Sequence, residues 1–172
     1  MHNGQTVDPL NRYSKAIKSI SSKRNKTEAD YEDMARLEWE AGLYLKDGKI
    51  ILPGILIEAT IREGGKTKKL GKVVLGAVFC DADPELEFAE SGETPDELWK
   101  DENHRLVAKV NIQRNSIMRT RPKFDEWSAE FELNYDETQI DEKTLLEIIE
   151  IGGTKGVGDW RPKFGRFQAT AL

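Results

Sequence analysis

Side chains able to do covalent or metal chemistry are few in this 172-residue chain. Its histidines are His2 and His104 and its one cysteine is Cys80, so no Cys/His cluster with metal-site spacing exists. No Gly-x-Ser-x-Gly elbow and no P-loop pattern occurs. Asp81, Asp83, Glu85 and Glu87 read as a solvated edge rather than a metal site. His104 beside Arg105 could in principle assist RNA cleavage, against the plainer reading of a surface histidine. An acid, a base and a nucleophile cannot be assembled from these residues. The sequence therefore predicts a protein that is not an enzyme and needs no metal or cofactor.

The informative stretch is Gly152-Gly153-Thr154-Lys155-Gly156-Val157-Gly158-Asp159-Trp160-Arg161-Pro162-Lys163-Phe164-Gly165-Arg166-Phe167. Glycines let a backbone approach a ligand closely and present its N–H groups, while Lys155, Arg161, Lys163 and Arg166 supply charge for phosphate oxygens. Trp160 and Phe164 could stack on unpaired bases; the alternative is a structural turn with both rings folded into the core. Gly156, Gly158 and Gly165 complete the candidate site on this segment. Arg121-Pro122-Lys123-Phe124 anticipates Arg161-Pro162-Lys163-Phe164, and Arg119 stands just before it. The candidate nucleic-acid-binding set is thus Arg119, Arg121, Lys123 and Phe124 together with Lys155, Gly156, Gly158, Trp160, Arg161, Lys163, Phe164, Gly165 and Arg166.

These loops must be positioned by regular elements. Residues 1–26 show no sustained periodicity and read as a basic arm. Thr27-Glu28-Ala29-Asp30 resembles a capping box before a helix over 28–41. Asp47-Gly48 marks a hairpin between 43–46 and 49–52. Ile55, Ile57, Ala59 and Ile61 alternate like a strand, yet Ile57, Ile61 and the Gly64-Gly65 stop suit a short helix; periodicity alone favours the strand. Val73 to Cys80 reads as a buried strand with an inert thiol, and Thr94 caps a short helix over 95–100. Leu106, Ala108, Val110 and Ile112 alternate, as do Trp127, Ala129, Phe131, Leu133 and Tyr135. Two strands are therefore expected to pair around an Arg-rich connection. Asp141 caps a helix with Leu145, Ile148 and Ile149 on one face, Gly152-Gly153 ends it, and 167–172 makes a last strand.

Length predicts one domain over 1–172, with 66–104 as an insertion and 105–172 as a β-β-α-β half. A lone cysteine allows no intrachain disulfide and fits a reducing cytoplasm, and no apolar run approaches a membrane span or signal peptide. Charge is segregated. The segment 81–103 holds ten acids against Lys100 alone, so against a total of −5 the remainder is net positive. Within it, 9–27 carries Arg12, Lys15, Lys18, Lys23, Arg24 and Lys26 with no acid, and 103–124 carries Arg105, Lys109, Arg114, Arg119, Arg121 and Lys123 with none. Such runs are either solvated faces or polyanion-binding surfaces.

Strand, helix, glycine-rich basic loop and strand over 105–172, with Leu52-Pro53-Gly54 opening an apolar segment, resemble the RAMP superfamily, the RNA-binding backbone proteins of CRISPR effector complexes. That resemblance implies helix for 55–62. It also implies an α+β, ferredoxin-like (RRM-like) antiparallel sheet with helices on one face and an inserted acidic segment. In this fold the two Arg-Pro-Lys-Phe loops emerge at the same end of the sheet, where their cations would converge. Six residues separate Gly158 from Gly165 where the family usually has five between its paired glycines and the next. The Gly-Val-Gly-Asp-Trp-Arg-Pro-Lys-Phe-Gly-Arg-Phe ending also resembles proteins encoded by bacteriophages, in which a further strand precedes the Met-His-Asn stretch. The function expected is non-catalytic binding of single-stranded nucleic acid, RNA foremost, in the cytoplasm and as a homo-oligomer or part of a protein complex. The rival is a phage protein-interaction module that uses the acidic 81–103 segment to bind a host factor or occupy a nucleic-acid groove.

Overall fold

Five α-helix starts in this chain are set by side chains that accept a free backbone N–H, those of Asn11, Thr27, Asp83, Thr94 and Asp141. A computed structural model describes residues 4–90, 92–112 and 115–172; His2 and Arg114 lie outside the described residues. The elements are α1 (Gly4–Val7), α2 (Arg12–Ser21), α3 (Glu28–Glu40), β1 (Leu45–Lys46), β2 (Lys49–Ile50), α4 (Gly54–Thr67), α5 (Gly71–Ala77), β3 (Val78–Phe79), β4 (Glu87–Phe88), α6 (Pro95–Lys100), a 3₁₀ turn (Glu102–His104), β5 (Arg105–Ile112), β6 (Asn115–Pro122), β7 (Trp127–Ser128), β8 (Asn134–Tyr135) and α7 (Glu142–Lys155). Thr27 and Thr94 close the capping boxes of α3 and α6, and Asp141 accepts from Thr144 N to start α7. Pro53 offers no cap to α4. Asp83 does so instead, its carboxylate accepting from Gly54 N at 3.0 Å where the helix dipole favours negative charge.

The molecule is mixed α/β with small antiparallel two-stranded sheets, and its residues group into two compact units. Of residues 66–104, those up to Glu85 belong to the first unit and the rest to the second. The first unit comprises Ile51–Glu85 and Ala129–Leu172. Its core joins Ile57 and Ile61 of α4, Val74 and Ala77 of α5, Val78, Cys80, Ile140, and Leu145, Ile148 and Ile149 of α7. Here β3 pairs β8, Val78 opposite Tyr135. Helices α4 and α7 meet where side chains are missing: a Cβ on Gly64 would lie 2.2 Å from Ile148 O, and one on Gly152 would lie 2.9 Å from Thr60 O. Close backbone approach, and not turn geometry, is what these glycines provide.

The second unit comprises the described residues of His2–Ile50 with Leu86–Ser128. Trp39 is its fully buried anchor, donating from Nε1 to His104 O at 2.8 Å and meeting Trp99 edge-on at 5.5 Å. Arg36 and Arg105 stack on Trp99. Strands β5 and β6 pair along their whole length, with Leu106 opposite Arg121, Ala108 opposite Arg119 and Val110 opposite Ile117. Glu38 of α3 is buried at 3% exposure and its carboxylate accepts from the Arg119 guanidinium and from Thr120 N.

Several expectations are corrected. Residues 1–26 are not an irregular arm, since α1 and α2 form there, with Tyr13, Ala16, Ile17 and Ile20 on the covered side of α2. Residues 55–62 are helical, as the resemblance implies and against the alternation alone. Within 73–80 the chain is helical to Ala77: Val74 and Ala77 are buried while Leu75 is 61% exposed, a helical period, and only two residues then pair as strand. The partner of β5 is the Arg-rich segment itself, not 126–135. That later segment keeps its alternate burial, but Phe88 pairs with Trp127 and Phe79 with Asn134. Helix α7 runs through Gly152-Gly153 to Lys155, and no strand forms over 167–172.

Gly64→Ala or Gly152→Ala should destabilise the protein by about 1–3 kcal/mol through forced separation of α4 and α7. Gly76→Ala, with nothing within 4 Å of the new Cβ, should cost nothing; urea unfolding compares them. Arg119→Ala, which strands the buried Glu38 charge, should cost about 3 kcal/mol by the same measurement. Asp30 is held from the ordinary 3.8 down to about 2 by its hydrogen bonds with Lys23 and Thr27. Because the folded value is depressed, this contribution is present above the unfolded pKa and is lost as pH falls toward 2. In acid titrations of stability, Asp30→Asn should flatten that limb.

Candidate nucleic-acid interface

The glycine-rich segment begins inside α7. Gly152 faces α4, and its neighbour Gly153 faces the returning chain, where a Cβ would lie 2.3 Å from Phe167 O. Phe167 N donates to Gly153 O at 3.2 Å, so the segment after the loop is fastened to the helix before it. Gly156, at φ +81°, ends the helix with its N–H on Gly152 O. The loop then closes on itself. Val157 N donates to Gly165 O at 2.8 Å, and Gly165, at φ +72°, sits so close that a Cβ would fall 1.9 Å from Val157 O. Residues 157–165 form a compact loop with joined ends, the Ω-type arrangement that holds its shape through its own packing.

Its tip carries the chemistry. Trp160, at φ +55°, accepts at its carbonyl from Phe164 N at 3.3 Å, and a cis Arg161–Pro162 bond lies within that turn. Arg161 Nη1 donates to Gly156 O at 3.4 Å, and Lys163 Nζ stands 5.4 Å from the Phe164 ring centroid. Trp160, Arg161 and Phe164 are half-buried. Lys155, Lys163 and Arg166 are exposed and form no ion pair among the described residues. Gly158 has open space where a side chain would sit. The two rings are neither folded away nor free-standing: each keeps part of its surface in solvent.

Glu63 of α4 belongs to this neighbourhood and no sequence signal points to it. A hydrogen bond from Lys66 at 2.5 Å, helped by the charges of Lys66, Arg161 and Arg62 and opposed by burial, holds its carboxyl below the ordinary range. Arg161 therefore has an acidic neighbour. Arg62 also keeps a buried Nε without a hydrogen-bond partner in the described structure.

The other four candidate residues lie in the second unit. Arg119 is committed to Glu38, Arg121 Nη1 donates to Thr120 O at 3.0 Å, and Lys123 pairs with Asp125 at 2.9 Å. Phe124 packs 4.7 Å from Phe88 and 5.7 Å from His104. The first Arg-Pro-Lys-Phe copy thus finishes β6, whereas the second forms the tip of a loop. His104 is no surface histidine: it is 6% exposed, Nδ1 lies 3.2 Å from Lys123 O, and Nε2 lies 3.5 Å from Glu90.

Among the described residues no group of three or more His, Cys, Asp or Glu is placed to hold a metal, and no helix is long and apolar enough to cross a membrane. Comparison of the chain with family models, with curated proteins and with solved structures returns no match.

Gly165→Ala places a side chain at a left-handed φ and against the Val157 carbonyl. At roughly 1–2 kcal/mol of backbone strain alone, the Val157 amide should exchange with solvent about tenfold faster or more. Amides of α4 and the first turns of α7 should keep their protection; hydrogen exchange read by NMR checks both.

Proposed function

We propose that this protein binds single-stranded nucleic acid, RNA foremost, without cleaving it, and that the closed loop over 155–166 is the contact surface. The observation that carries the reading is the loop itself. A backbone fastened at Val157–Gly165 and Gly153–Phe167 holds three exposed cations, without an ion pair among the described residues, beside two half-exposed aromatic rings. Cations track phosphates and rings stack on bases, the pairing that single strands require. A loop already ordered before binding loses little further entropy when the ligand arrives.

The arrangement of the first unit supports a ferredoxin-like reading. Helix α4, then the short α5, strand β3, strand β8 and helix α7 follow one another, which apart from α5 is the order of the centre of a β-α-β-β-α-β fold, with the two strands antiparallel and residues 86–128 between them. The resemblance of 105–172 to RNA-binding backbone proteins points the same way and supports RNA over DNA. The rival use of the acidic segment loses ground because its carboxylates are engaged locally. Asp83 caps α4, Asp81 accepts from Asn134, Asp96 pairs with Arg36, Glu97 closes a capping box, Asp101 accepts from Asn103 N and Glu102 pairs with Arg105.

Filter binding of a single-stranded RNA across a salt series tests the reading. Replacing Lys163 and Arg166 together by alanine should lower the log–log salt slope by about 1.4, at about 0.7 for each phosphate that is no longer neutralised. Trp160→Ala should weaken binding by about 1–3 kcal/mol while leaving the slope nearly unchanged, because stacking releases few counterions. Unchanged binding in both variants, with the fold intact, would remove the loop from consideration; the RNA should be recovered at full length throughout.

A further inference from the structure

We infer that the outer face of α2 is a second contact surface for a nucleic-acid phosphate backbone, built on the other unit and independent of the 155–166 loop. Around this helix Tyr13 is buried and Ser14, Ala16, Ile17 and Ile20 are half-buried. At a period of 3.6 residues, Lys15 and Lys18 stand directly opposite, with Ser19 beside them and Ser22 following at the C-cap. Lys15, Lys18, Ser19, Ser22 and Arg24 are all exposed. Among the described residues Lys15, Lys18 and Arg24 have no ion-pair partner, whereas nearby Lys23 is taken by Asp30 at 2.5 Å. No acid lies between Pro9 and Thr27 to neutralise them.

The chemistry of this face selects its occupant. A membrane-surface helix must turn an apolar face to the lipid, but the apolar face of α2 is already covered. A protein interface has an apolar, aromatic centre and is poor in lysine; the outer face of α2 offers lysines and serine hydroxyls, with Arg24 beyond its end. Those groups are the ones that meet phosphate and sugar oxygens, fixing position without reading sequence. Attraction of Lys18 to the carbonyl end of the helix explains one cation, but Lys15 lies mid-helix and Arg24 beyond the end. A polyanion accounts for all three.

The test uses the full chain and a 30-nucleotide single-stranded poly(U) RNA. A Lys15→Gln, Lys18→Gln, Arg24→Gln variant should bind with a log–log salt slope lower by roughly 2, at about 0.7 per phosphate, while its circular dichroism and thermal midpoint match the parent. RNA should also protect Lys15 and Lys18 from acetic anhydride, in the parent and in the Lys163→Ala, Arg166→Ala variant alike. That second arm separates the two surfaces: a lower slope or weaker protection in one variant leaves the other surface standing. An unchanged slope with unprotected lysines would overturn the inference. So would protection of Lys15 and Lys18 by phosphatidylserine vesicles or by a peptide of residues 81–103 in place of RNA.

Discussion

Two helices can approach until their backbones touch only where side chains are absent, and Gly64 with Gly152 supplies that place in the first unit. Any larger residue at either position would push a β-carbon into a carbonyl oxygen of the other helix. The consequences run outward from this crossing. It fixes the last turns of α7, so that Gly153 faces Phe167 closely enough for a backbone hydrogen bond. With both ends of 154–166 held, the loop closes further through the bond between Val157 and Gly165. The exposed cations thus owe their placement to glycines whose role is packing, away from any ligand.

In the second unit the corresponding constraint is a buried charge. Taking the Glu38 carboxylate out of water costs several kcal/mol unless it is paired and hydrogen-bonded. Arg119 and Thr120 N meet that need, and the Arg119 stem lies across from Ala108 on the hairpin. One of the two acid-free basic runs of the chain is therefore in part a structural device. A count of cations without acids does not separate the two uses; only the partner of each cation does.

The capped elements were legible because their signals are local: Thr27 with Asp30, Thr94 with Glu97 and Asp47-Gly48 act within four residues of themselves. What escaped depends on distant partners. Arg119 counts as an inward-facing residue of β6 only because Glu38 is there to pair with it, so the apolar alternation stopped at Ile112 and assigned the wrong partner strand. Gly152-Gly153 has the composition of a helix stop, and it is instead a smooth patch inside a helix because Thr60 and Phe167 crowd it from either side. Four adjacent apolar or small residues from Val73 to Gly76 fit either period; burial of Val74 and Ala77 beneath the core decided for helix. Of the candidate site, the loop was readable as a unit because glycines and cations are contiguous. The division of the repeated Arg-Pro-Lys-Phe between a strand end and a loop tip was not.

An acidic protein can hold a polyanion if its negative charges are spent before the ligand arrives. Screening confines an exposed charge to about 8 Å at physiological ionic strength, so a strand responds to the nearest charges and not to the total. Of the carboxylates of 81–103, Asp83 and Glu97 sit on helix starts, Asp96 and Glu102 meet arginines and Asp101 accepts from a backbone N–H. Lys15, Lys18, Lys155, Lys163 and Arg166 have no such answer among the described residues, and each stands in solvent. The −5 total sums these anions with paired and unpaired cations alike. At short range the unspent cations govern association, which is why the sign of the whole chain does not oppose a nucleic-acid ligand.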